Sequence, residues 1–441
     1  MVLLLKHLQK GQSMPGYLVG ASDRAILEQV ADDTPDAGLR RRARLLLLYD
    51  DGLLTREAAG EVGMSRSRAR YWKRQYHDRG MAIFCHGHPA PSEEPEPEAL
   101  VDAPAPSPLP PCHDLAKVVD EIASQDGPGV QADDPLAEAG RKVWCYQLAH
   151  MLLHEPETLS GADMEEIHDM RVATRRMRAA FPVFAHAFLP KPLKQYRKGL
   201  RQTGRTLGKV RDLDVMLDKA RHYQDTLPEA QRLDLEPLLQ AWEASREAAR
   251  TELVAYLQSS RYQALKEQFS EFVSTPGAGT PPAPAEMPVP YLVRETAPTL
   301  IYARLASVRA FDAILHQATL EQFHALRIEF KKLRYTLEYF REVLGEDAKA
   351  VIDEIKGLQD HLGDLNDANV AAGILRNFLA QWDVLQAQKP VAERHNPEPV
   401  LAYLSYQYAE RQRLMLAFQD VWAHFNRPRL REKLAKAIAV L

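Results

Sequence analysis

The stretch that decides the fold is IHDMRVATRRMRAAFPVF at residues 167–184, because the chain repeats its pattern as FHALRIEFKKLRYTLEYF at residues 323–340. A second pair follows, with LRQTGRTLGKVRDLDV at 200–215 aligned to IKGLQDHLGDLNDANV at 355–370. The spacing between the two motifs is nearly the same in both copies. Two copies of a long motif at nearly fixed spacing indicate an internal structural repeat.

Each copy of the first motif has the pattern of an amphipathic helix with one cationic face. At about 100° per residue, cationic residues fall on one side of the helix and apolar residues on the other. The cationic stripes are His168, Arg171, Arg175 and Arg178 in the first copy, and His324, Arg327, Lys331 and Arg334 in the second. A solvent-exposed face usually mixes charges, because like charges at i,i+4 repel. A stripe without acidic residues therefore predicts a site for an anion.

Residues that favour helix N-termini precede both stripes. Asp163 and Glu166 fit a capping box, as do Thr319 and Gln322. The two stripe histidines are then expected within the first turn and a half, beside the free N–H groups and the positive end of the helix dipole. A helix N-terminus followed by a cationic stripe suits phosphate.

Length and composition favour a multidomain protein of a reducing compartment. For 441 residues, two or three domains are expected. Because the formal net charge is −4, any anion site must come from local sorting of charge. Three cysteines argue against a disulfide scaffold, and no apolar run approaches the length of a membrane helix. The sequence therefore predicts a soluble, cytoplasmic protein without a membrane partner.

A small N-terminal domain is predicted over residues 1–86, and its second half has a helix-turn-helix pattern. Thr55 can cap one helix, Gly63 lies at the turn, and Ser65 can cap the next helix. That last helix carries more basic residues than solubility requires: Arg66, Arg68, Arg70, Lys73 and Arg74. The pattern resembles the helix-turn-helix units of transposases and bacterial regulators and predicts DNA binding. A three-helix module for contact with a protein is the alternative.

A Pro-rich linker is predicted at 87–133, and helices then follow almost without interruption over 134–441. A second Pro- and Gly-rich segment, 274–290, separates repeat one (134–273) from repeat two (291–441). Each repeat is predicted to contain a lead helix, the stripe helix, a long return helix and a closing pair, and the lead helix of repeat two is expected over about 291–317. No alternation typical of strands occurs. The predicted fold is all-α, with two pseudo-symmetric helical bundles and the small N-terminal domain.

The second repeated motif places two pairs of aligned residues on the return helices: Asp212 with Asp367, and Gly208 with Gly363. The aspartates can orient an arginine or histidine of the stripe, or form simple ion pairs between helices. The glycines are expected to let two helices approach closely. Arg201 and its counterpart Lys356 lie one to two turns upstream. The return helix of repeat one is strongly basic, and because it should pack antiparallel to its stripe helix, its basic residues are expected to widen the cationic surface: Lys194, Arg197, Lys198, Arg205 and Lys209.

Two further patterns bear on metal binding and catalysis. Glu165 with His168, and Glu321 with His324, have the Glu-x-x-His spacing of di-iron helical bundles. The arginines on the same face oppose a divalent cation, so the pattern favours an anion over a metal. The sequence has no Gly-rich phosphate loop, no nucleophile beside a base and no acidic cluster for Mg²⁺. It predicts binding without catalysis and without a cofactor, and a metal-dependent phosphohydrolase is the alternative.

The two basic motifs, each followed by LG-x-x-x-D, resemble the CHAD family, the conserved histidine α-helical domain. The resemblance covers residues 134–441 and implies two helical bundles with a basic surface where they face each other. It also implies binding of inorganic polyphosphate and association with polyphosphate granules, without catalytic activity. The phosphate ligands that it implies are His168, Arg171, Arg175, Arg176, Arg178, His324, Arg327, Lys331, Lys332 and Arg334, with Arg201 and Lys356 as additions.

The N-terminal domain differs from that of many members of the family. Their acidic triphosphate-processing tunnel domain has no counterpart here, and the helix-turn-helix pattern occupies the front of the chain instead. This difference favours a regulatory role. The alternative function is therefore a DNA-binding regulator whose helical repeats sense a polyanion.

Overall fold

The computed structural model describes residues 19, 21–34, 36–51, 53, 55–64, 69, 72–73, 75–76, 80–84, 115–161, 163–281 and 291–441. These residues form two compact units. The smaller contains the described residues before 85, and the larger contains Gly127–Leu441. In this part of the chain there is no strand, only an isolated backbone bridge between Pro135 and Leu292. None of its helices has the length and apolar character that crossing a membrane requires.

The smaller unit is a helical domain built from α1 (Ala21–Asp33), α2 (Ala37–Asp50), α3 (Thr55–Glu61) and a 3-10 turn at Gly80–Phe84. Helix α2 begins after Asp36, whose carboxylate accepts hydrogen bonds from the backbone N–H groups of Gly38 and Leu39. After α3 the backbone of Gly63 has a φ of 65°, a left-handed conformation that favours glycine. The turn predicted at Gly63 is confirmed, while the cap predicted at Ser65 lies outside the described residues.

A further helix, α4 (Leu115–Ser124), precedes the larger unit, which contains two copies of one helical arrangement. Repeat one consists of α5 (Leu136–Leu153), α6 (Glu155–Ser160), α7 (Met164–Phe184), α8 (Pro190–Thr226), α9 (Glu229–Leu257) and α10 (Ser260–Ser274). Repeat two consists of α11 (Val293–Arg309), α12 (Leu320–Tyr339), α13 (Asp347–Leu379), α14 (Trp382–Ala387), α15 (Glu398–Phe425) and α16 (Pro428–Ile438). The stripe helices are α7 and α12, and the return helices are α8 and α13. The predicted all-α fold with an internal repeat is confirmed.

The lead helix of repeat two is shorter than predicted. The expected helix over 291–317 ends at Arg309 and is followed by two 3-10 turns. Asp312 in the first turn accepts a hydrogen bond of 2.7 Å from the indole of Trp422 on α15. A tertiary contact therefore accompanies the change of backbone, and hydrophobic periodicity along one segment cannot reveal such a contact.

The two stripe helices begin differently. Thr319 forms the predicted capping box of α12, since its hydroxyl accepts from the N–H of Gln322 and the Gln322 side chain accepts from the N–H of Thr319. Asp163 caps α7, but the carboxylate of Glu166 lies 2.8 Å from Nδ1 of the buried His154. The sequence pattern predicted that this carboxylate caps the start of the helix, but in the structure it contacts a buried side chain.

The apolar faces of both stripe helices are buried, as predicted. The side chains that form them are at most 1% exposed: Met170, Met177, Phe181, Phe184, Leu326, Phe330, Leu333, Leu337 and Phe340. In repeat one they pack around Trp144 of α5, whose indole donates to the carbonyl of Met177 at 3.1 Å. Burial of these faces fixes the orientation of each helix and leaves its cationic stripe turned away from the core.

The two stripe helices pack against each other. The ring of Phe184 on α7 lies with its centroid 5.8 Å from that of Tyr339 and 5.7 Å from that of Phe340, both at the end of α12. The hydroxyl of Tyr339 donates to the backbone carbonyl of Arg176 at 2.7 Å. The two cationic stripes therefore lie on adjacent helices of one unit.

Candidate anion-binding site

Four partly buried cations from the two stripe helices form the central cluster: Arg171 and Arg175 of α7, and Arg327 and Lys331 of α12. Burial lowers the pKa of Arg327, and the charges of Arg175 and Arg171 lower it further. Burial also lowers the pKa of Lys331 to about 7, and the charges of Arg327, Arg175 and Arg171 contribute to the shift. The structure thus brings cations of both repeats close enough to repel one another.

Two aspartates of the return helices lie beside the central cluster. A guanidinium N–H of Arg171 donates to Asp212 at 2.9 Å. Burial lowers the pKa of Arg171, and the carboxylates of Asp212 and Asp367 oppose this shift. Asp367 also accepts from the ammonium group of Lys219 at 3.3 Å, across the two repeats. The aspartates therefore position cations at the site, but two carboxylates do not balance the cationic side chains around them.

Parts of the central cluster are buried without a hydrogen-bond partner. Within the described ranges, the Nε atoms of Arg175 and Arg327 and the hydroxyl of Tyr335 have none. The guanidinium of Arg175 lies 5.9 Å from the centroid of the Tyr335 ring, so the aromatic face provides part of its surroundings. An unpaired buried donor costs about 1–3 kcal/mol. These buried, unpaired atoms therefore lower the stability of the fold at the central cluster.

The two repeated glycines lie beneath arginines of the central cluster. A Cβ on Gly208 would be 3.6 Å from Nε of Arg171, and a Cβ on Gly363 would be 4.0 Å from Nε of Arg327. The expectation that these glycines let two helices approach closely is wrong, because the nearest atoms of other helices belong to guanidinium groups and not to a backbone. The glycines leave a flat helix surface under the two arginines.

The last arginine of each stripe has a different environment. Arg334 is only 9% exposed, and it donates to Gln359 and to Glu338 at 2.9 Å each. The aligned Arg178 is exposed, and the positions aligned with Glu338 and Gln359 are Pro182 and Gly204. Arg334 is therefore neutralised inside the fold, whereas Arg178 is not. The i,i+4 spacing of Arg334 and Glu338 was the signal in the sequence that could have revealed this pair.

Two other predicted ligands also have acidic partners. A guanidinium nitrogen of Arg176 lies 3.2 Å from the carboxylate of Glu338 in the other repeat. Burial opposes the charge of Arg176 and is the largest influence on it. Glu338 and the nearby Tyr335, Tyr339 and Tyr146 together outweigh burial, so the pKa of Arg176 is raised. Lys332 donates to Glu329 at 2.6 Å. These two cations are thus partly compensated.

The two stripe histidines also differ. Burial, together with the charges of Arg211 and Arg175, lowers the pKa of the partly buried His168 to about 4, so this ring is neutral at pH 7. His324 is exposed, and its Nδ1 lies 2.8 Å from the amide oxygen of Asn366. With Nδ1 as the donor to this oxygen, Asn366 of α13 fixes the orientation of the His324 ring.

The additions on the return helices are both exposed, but their neighbours differ. Arg201 lies near Arg178. Partial burial of the Arg178 side chain lowers the pKa of Arg178, and the charges of Arg201 and Arg205 lower it further. Lys356 lies on α13 between Asp353 and Asp360, which are one turn away in either direction.

The Glu-x-x-His pairs do not assemble into a metal site. Glu165 lies 3.6 Å from a guanidinium nitrogen of Arg211, which would repel a divalent cation. No group of three or more His, Cys, Asp or Glu side chains in the described part of the chain could hold a metal ion.

Of the predicted DNA contacts, the structure describes Lys73. Its ammonium group lies 4.9 Å from the centroid of the Tyr49 ring, and its side chain is partly buried. Trp72 beside it is 1% exposed and lies under the guanidinium of Arg42 at 3.8 Å. The other four predicted contacts lie outside the described residues: Arg66, Arg68, Arg70 and Arg74.

Comparison with protein families assigns this fold. The CHAD domain model matches residues 143–376, which is more than half of the chain. The chain belongs to the CHAD family. All of the predicted phosphate ligands lie within the matched part. A homeodomain-like domain model matches residues 36–82, in the N-terminal unit.

The similar proteins add little beyond the fold. An uncharacterized protein of two Mycobacterium tuberculosis strains is 29% identical over 264 residues, 58% of this chain and 48% of that protein. The chain therefore spans about half the length of these curated relatives. PptA from Streptomyces chartreusis is similar in structure, with a TM-score of 0.51, 16% identity and coverage of 66% of this chain and 100% of that one. The CHAD domain from the plant Ricinus communis has a TM-score of 0.48, 23% identity and coverage of 71% and 94%.

Proposed function

We propose that this protein binds inorganic polyphosphate, without chemistry on it, at the central cluster. The observation that carries the proposal is the convergence of four partly buried cations from both repeats. Polyphosphate carries roughly one charge per phosphate unit and no bases, so its recognition rests on charge and hydrogen-bond geometry, which arginine forks supply. Like other linear polyanions, it should lose affinity steeply as salt rises.

The other predicted ligands are assigned by their surroundings. Arg178 and the two histidines flank the central cluster and extend it at both ends. Arg176, Lys332 and Arg334 already contact carboxylates, so we assign them a supporting role. Arg201 and Lys356 lie at the edges on the return helices. The donor set offers charge and hydrogen bonds but no nucleophile with a base, which supports binding without catalysis.

A double charge reversal tests the proposal. Arg171→Glu with Arg327→Glu places two carboxylates in the central cluster and next to Asp212 and Asp367. We expect retention of long-chain polyphosphate by the full chain to be abolished at near-physiological salt, while circular dichroism shows unchanged helicity. Arg171→Gln with Arg327→Gln, which removes charge without adding repulsion, should weaken binding at least about tenfold, because contacts to charged groups are worth roughly 1.5–3 kcal/mol each.

The matched control lies on the exposed surface of α13. Lys349→Glu with Arg376→Glu changes the net charge by the same amount at two exposed positions. This variant should bind polyphosphate within about threefold of the unaltered protein, because distant exposed charges are screened. Equal losses in both double variants, or unchanged binding by the Arg171 and Arg327 variant, would refute the central cluster as the site.

The homeodomain-like match favours a second function, DNA binding by the N-terminal unit. The protein would then be a DNA-binding regulator whose helical repeats sense a polyanion. Alternatively, the N-terminal unit binds a protein partner. A competition separates the two functions: the full chain is loaded with labelled long-chain polyphosphate and challenged with duplex DNA at matched phosphate concentration. Retention of polyphosphate indicates a dedicated site and an expected location on polyphosphate granules. Ready displacement indicates a generic polyanion surface and makes DNA the better candidate.

A further inference from the structure

The return helix of repeat one carries a second cationic stripe, which we call the α8 track: Lys191, Lys194, Lys198, Arg201 and Arg205. The alternating spacing of three and four residues places all five on one face of the helix. All five are exposed, and none makes an ion pair with a carboxylate of the described residues. From Lys191 to Arg205 the track is about 21 Å long, at 1.5 Å per residue.

The α8 track leads to the central cluster. The same spacing continues from Arg205 to Gly208, which lies beneath Arg171, and to Asp212, which accepts a hydrogen bond from Arg171. Two residues of the track, Arg201 and Arg205, also lie near Arg178 of α7. Burial lowers the pKa of Arg178, and the charges of these two residues lower it further. The cations of the α8 track therefore connect through Arg178 to Arg171 of the central cluster.

The aligned face of α13 in repeat two has no such row. Its residues at the five aligned positions alternate in sign and are all exposed: Glu346, Lys349, Asp353, Lys356 and Asp360. A polyanion that crossed this face would meet a carboxylate at every second position. Binding there would be weak, because the carboxylates one turn away from each lysine would repel the phosphates that the lysines attract.

We infer that a long polyphosphate chain leaves the central cluster in one direction, along the α8 track, and that this track makes the protein selective for long chains. The inference rests on the proposed function. A short polyphosphate is held by the central cluster alone, so its affinity does not depend on the track. A long chain gains additional phosphate contacts on repeat one and none of comparable strength on repeat two.

The test uses two ligands on the full chain, tripolyphosphate and long-chain polyphosphate. Lys194→Glu with Lys198→Glu reverses two charges of the α8 track away from the central cluster. We expect the affinity for long chains to fall about tenfold at near-physiological salt, and the slope of log affinity against log salt to decrease by about 1.4 for two lost contacts. The affinity for tripolyphosphate should stay within about twofold. Both lysines are exposed, so folding should be retained.

The control variant with Lys349→Glu and Arg376→Glu changes the net charge equally on α13, and its affinity for long chains should stay within about threefold. As a converse change, Asp353→Lys with Asp360→Lys gives α13 a row of cations and should raise the affinity for long chains. Equal losses in the α8 and α13 variants, or an unchanged affinity of the α8 variant for long chains, would overturn the inference. If tripolyphosphate still binds, neither of these outcomes contradicts the proposal that the central cluster binds polyphosphate. Failure of the unaltered protein to bind either ligand would instead refute the proposed function.

Discussion

The two repeats share a helical arrangement but differ in which of their cations remain available. In repeat one, Arg178 is exposed and lies near Arg201 and Arg205. In repeat two, the aligned Arg334 is buried and bound by Glu338 and Gln359. The same difference recurs on the return helices, where five exposed cations of α8 align with residues of alternating sign on α13. Repeat one has the more open cationic surface, although both repeats contribute to the central cluster.

The difference teaches that a cationic stripe in the sequence does not by itself determine which of its cations are available to an anion. A single carboxylate, Glu338, contacts Arg334 of its own helix and Arg176 of the other repeat. It removes two of the predicted ligands from competition for an external anion. Pro182, at the aligned position of repeat one, has no carboxylate, so Arg178 remains an exposed cation where Arg334 forms a structural ion pair.

The largest effect is expected from Glu338→Gln, which removes the carboxylate shared by two arginines. Because Glu338 and Arg334 side chains are only 18% and 10% exposed, the free energy of unfolding should fall by about 2 kcal/mol, measured by urea denaturation. Long-chain polyphosphate should then raise the melting temperature of this variant more than that of the unaltered protein, since the two arginines become available to the anion.

Glu329→Gln is the matched control on the same helix. Glu329 is 19% exposed and contacts a single partner, Lys332, which is itself 40% exposed. Its loss should cost less than about 1 kcal/mol. Equal stabilities of the two variants, or no additional thermal shift with polyphosphate, would contradict the distinction drawn between Arg334 and Arg178.

A pH effect of intermediate size should distinguish Lys331 from the aligned Arg175. The pKa of Lys331 is about 7, against an ordinary value of 10.5, because of burial and the charges around it. A bound anion raises this pKa again, so the free protein must take up a proton to bind polyphosphate above pH 7. The affinity should therefore fall about tenfold between about pH 7 and about pH 9.

Lys331→Arg gives repeat two the residue of repeat one and should remove most of this pH dependence, because arginine stays charged throughout the range. In the absence of polyphosphate, the contribution of Lys331 to stability has the opposite sign. The unfolded chain keeps the proton of Lys331 up to about pH 10.5, whereas the folded protein loses it near pH 7. The cost of burying this charge therefore falls, and the free energy of unfolding rises, as pH increases from 7. An affinity of the unaltered protein that is constant between pH 7 and 9 would disprove the role of Lys331.

The smallest effect is expected at the repeated glycines. Alanine at Gly208 or Gly363 meets the guanidinium above it at 3.6 or 4.0 Å, an ordinary contact. Each substitution should leave polyphosphate affinity within about twofold and stabilise its helix by about 0.5–1 kcal/mol. Gly204→Ala is the contrasting change, because its Cβ would lie 2.9 Å from a guanidinium nitrogen of Arg178 and would displace that side chain. A loss of affinity at Gly208 as large as at Gly204 would contradict this interpretation.

Much of the fold and part of the candidate site could be predicted from local patterns. Both stripe helices, their buried faces and the cap at Thr319 follow from residues within a few turns of each other, where spacing determines contact. The capping carboxylate expected at Glu166 contacts His154 instead, and the end of the lead helix at Arg309 accompanies a contact to Trp422. Each of these departures involves a partner on another helix.

The sequence by itself determined the repeat, the all-α fold and the polarity of each stripe helix, because these depend on spacing along one segment. Only the tertiary structure decided that Arg171, Arg175, Arg327 and Lys331 form a single cluster and that Glu338 contacts Arg176 across the two repeats. Electrostatic interactions depend on the distance between charges and on their burial. Both quantities are set by the packing of helices that lie far apart in the chain.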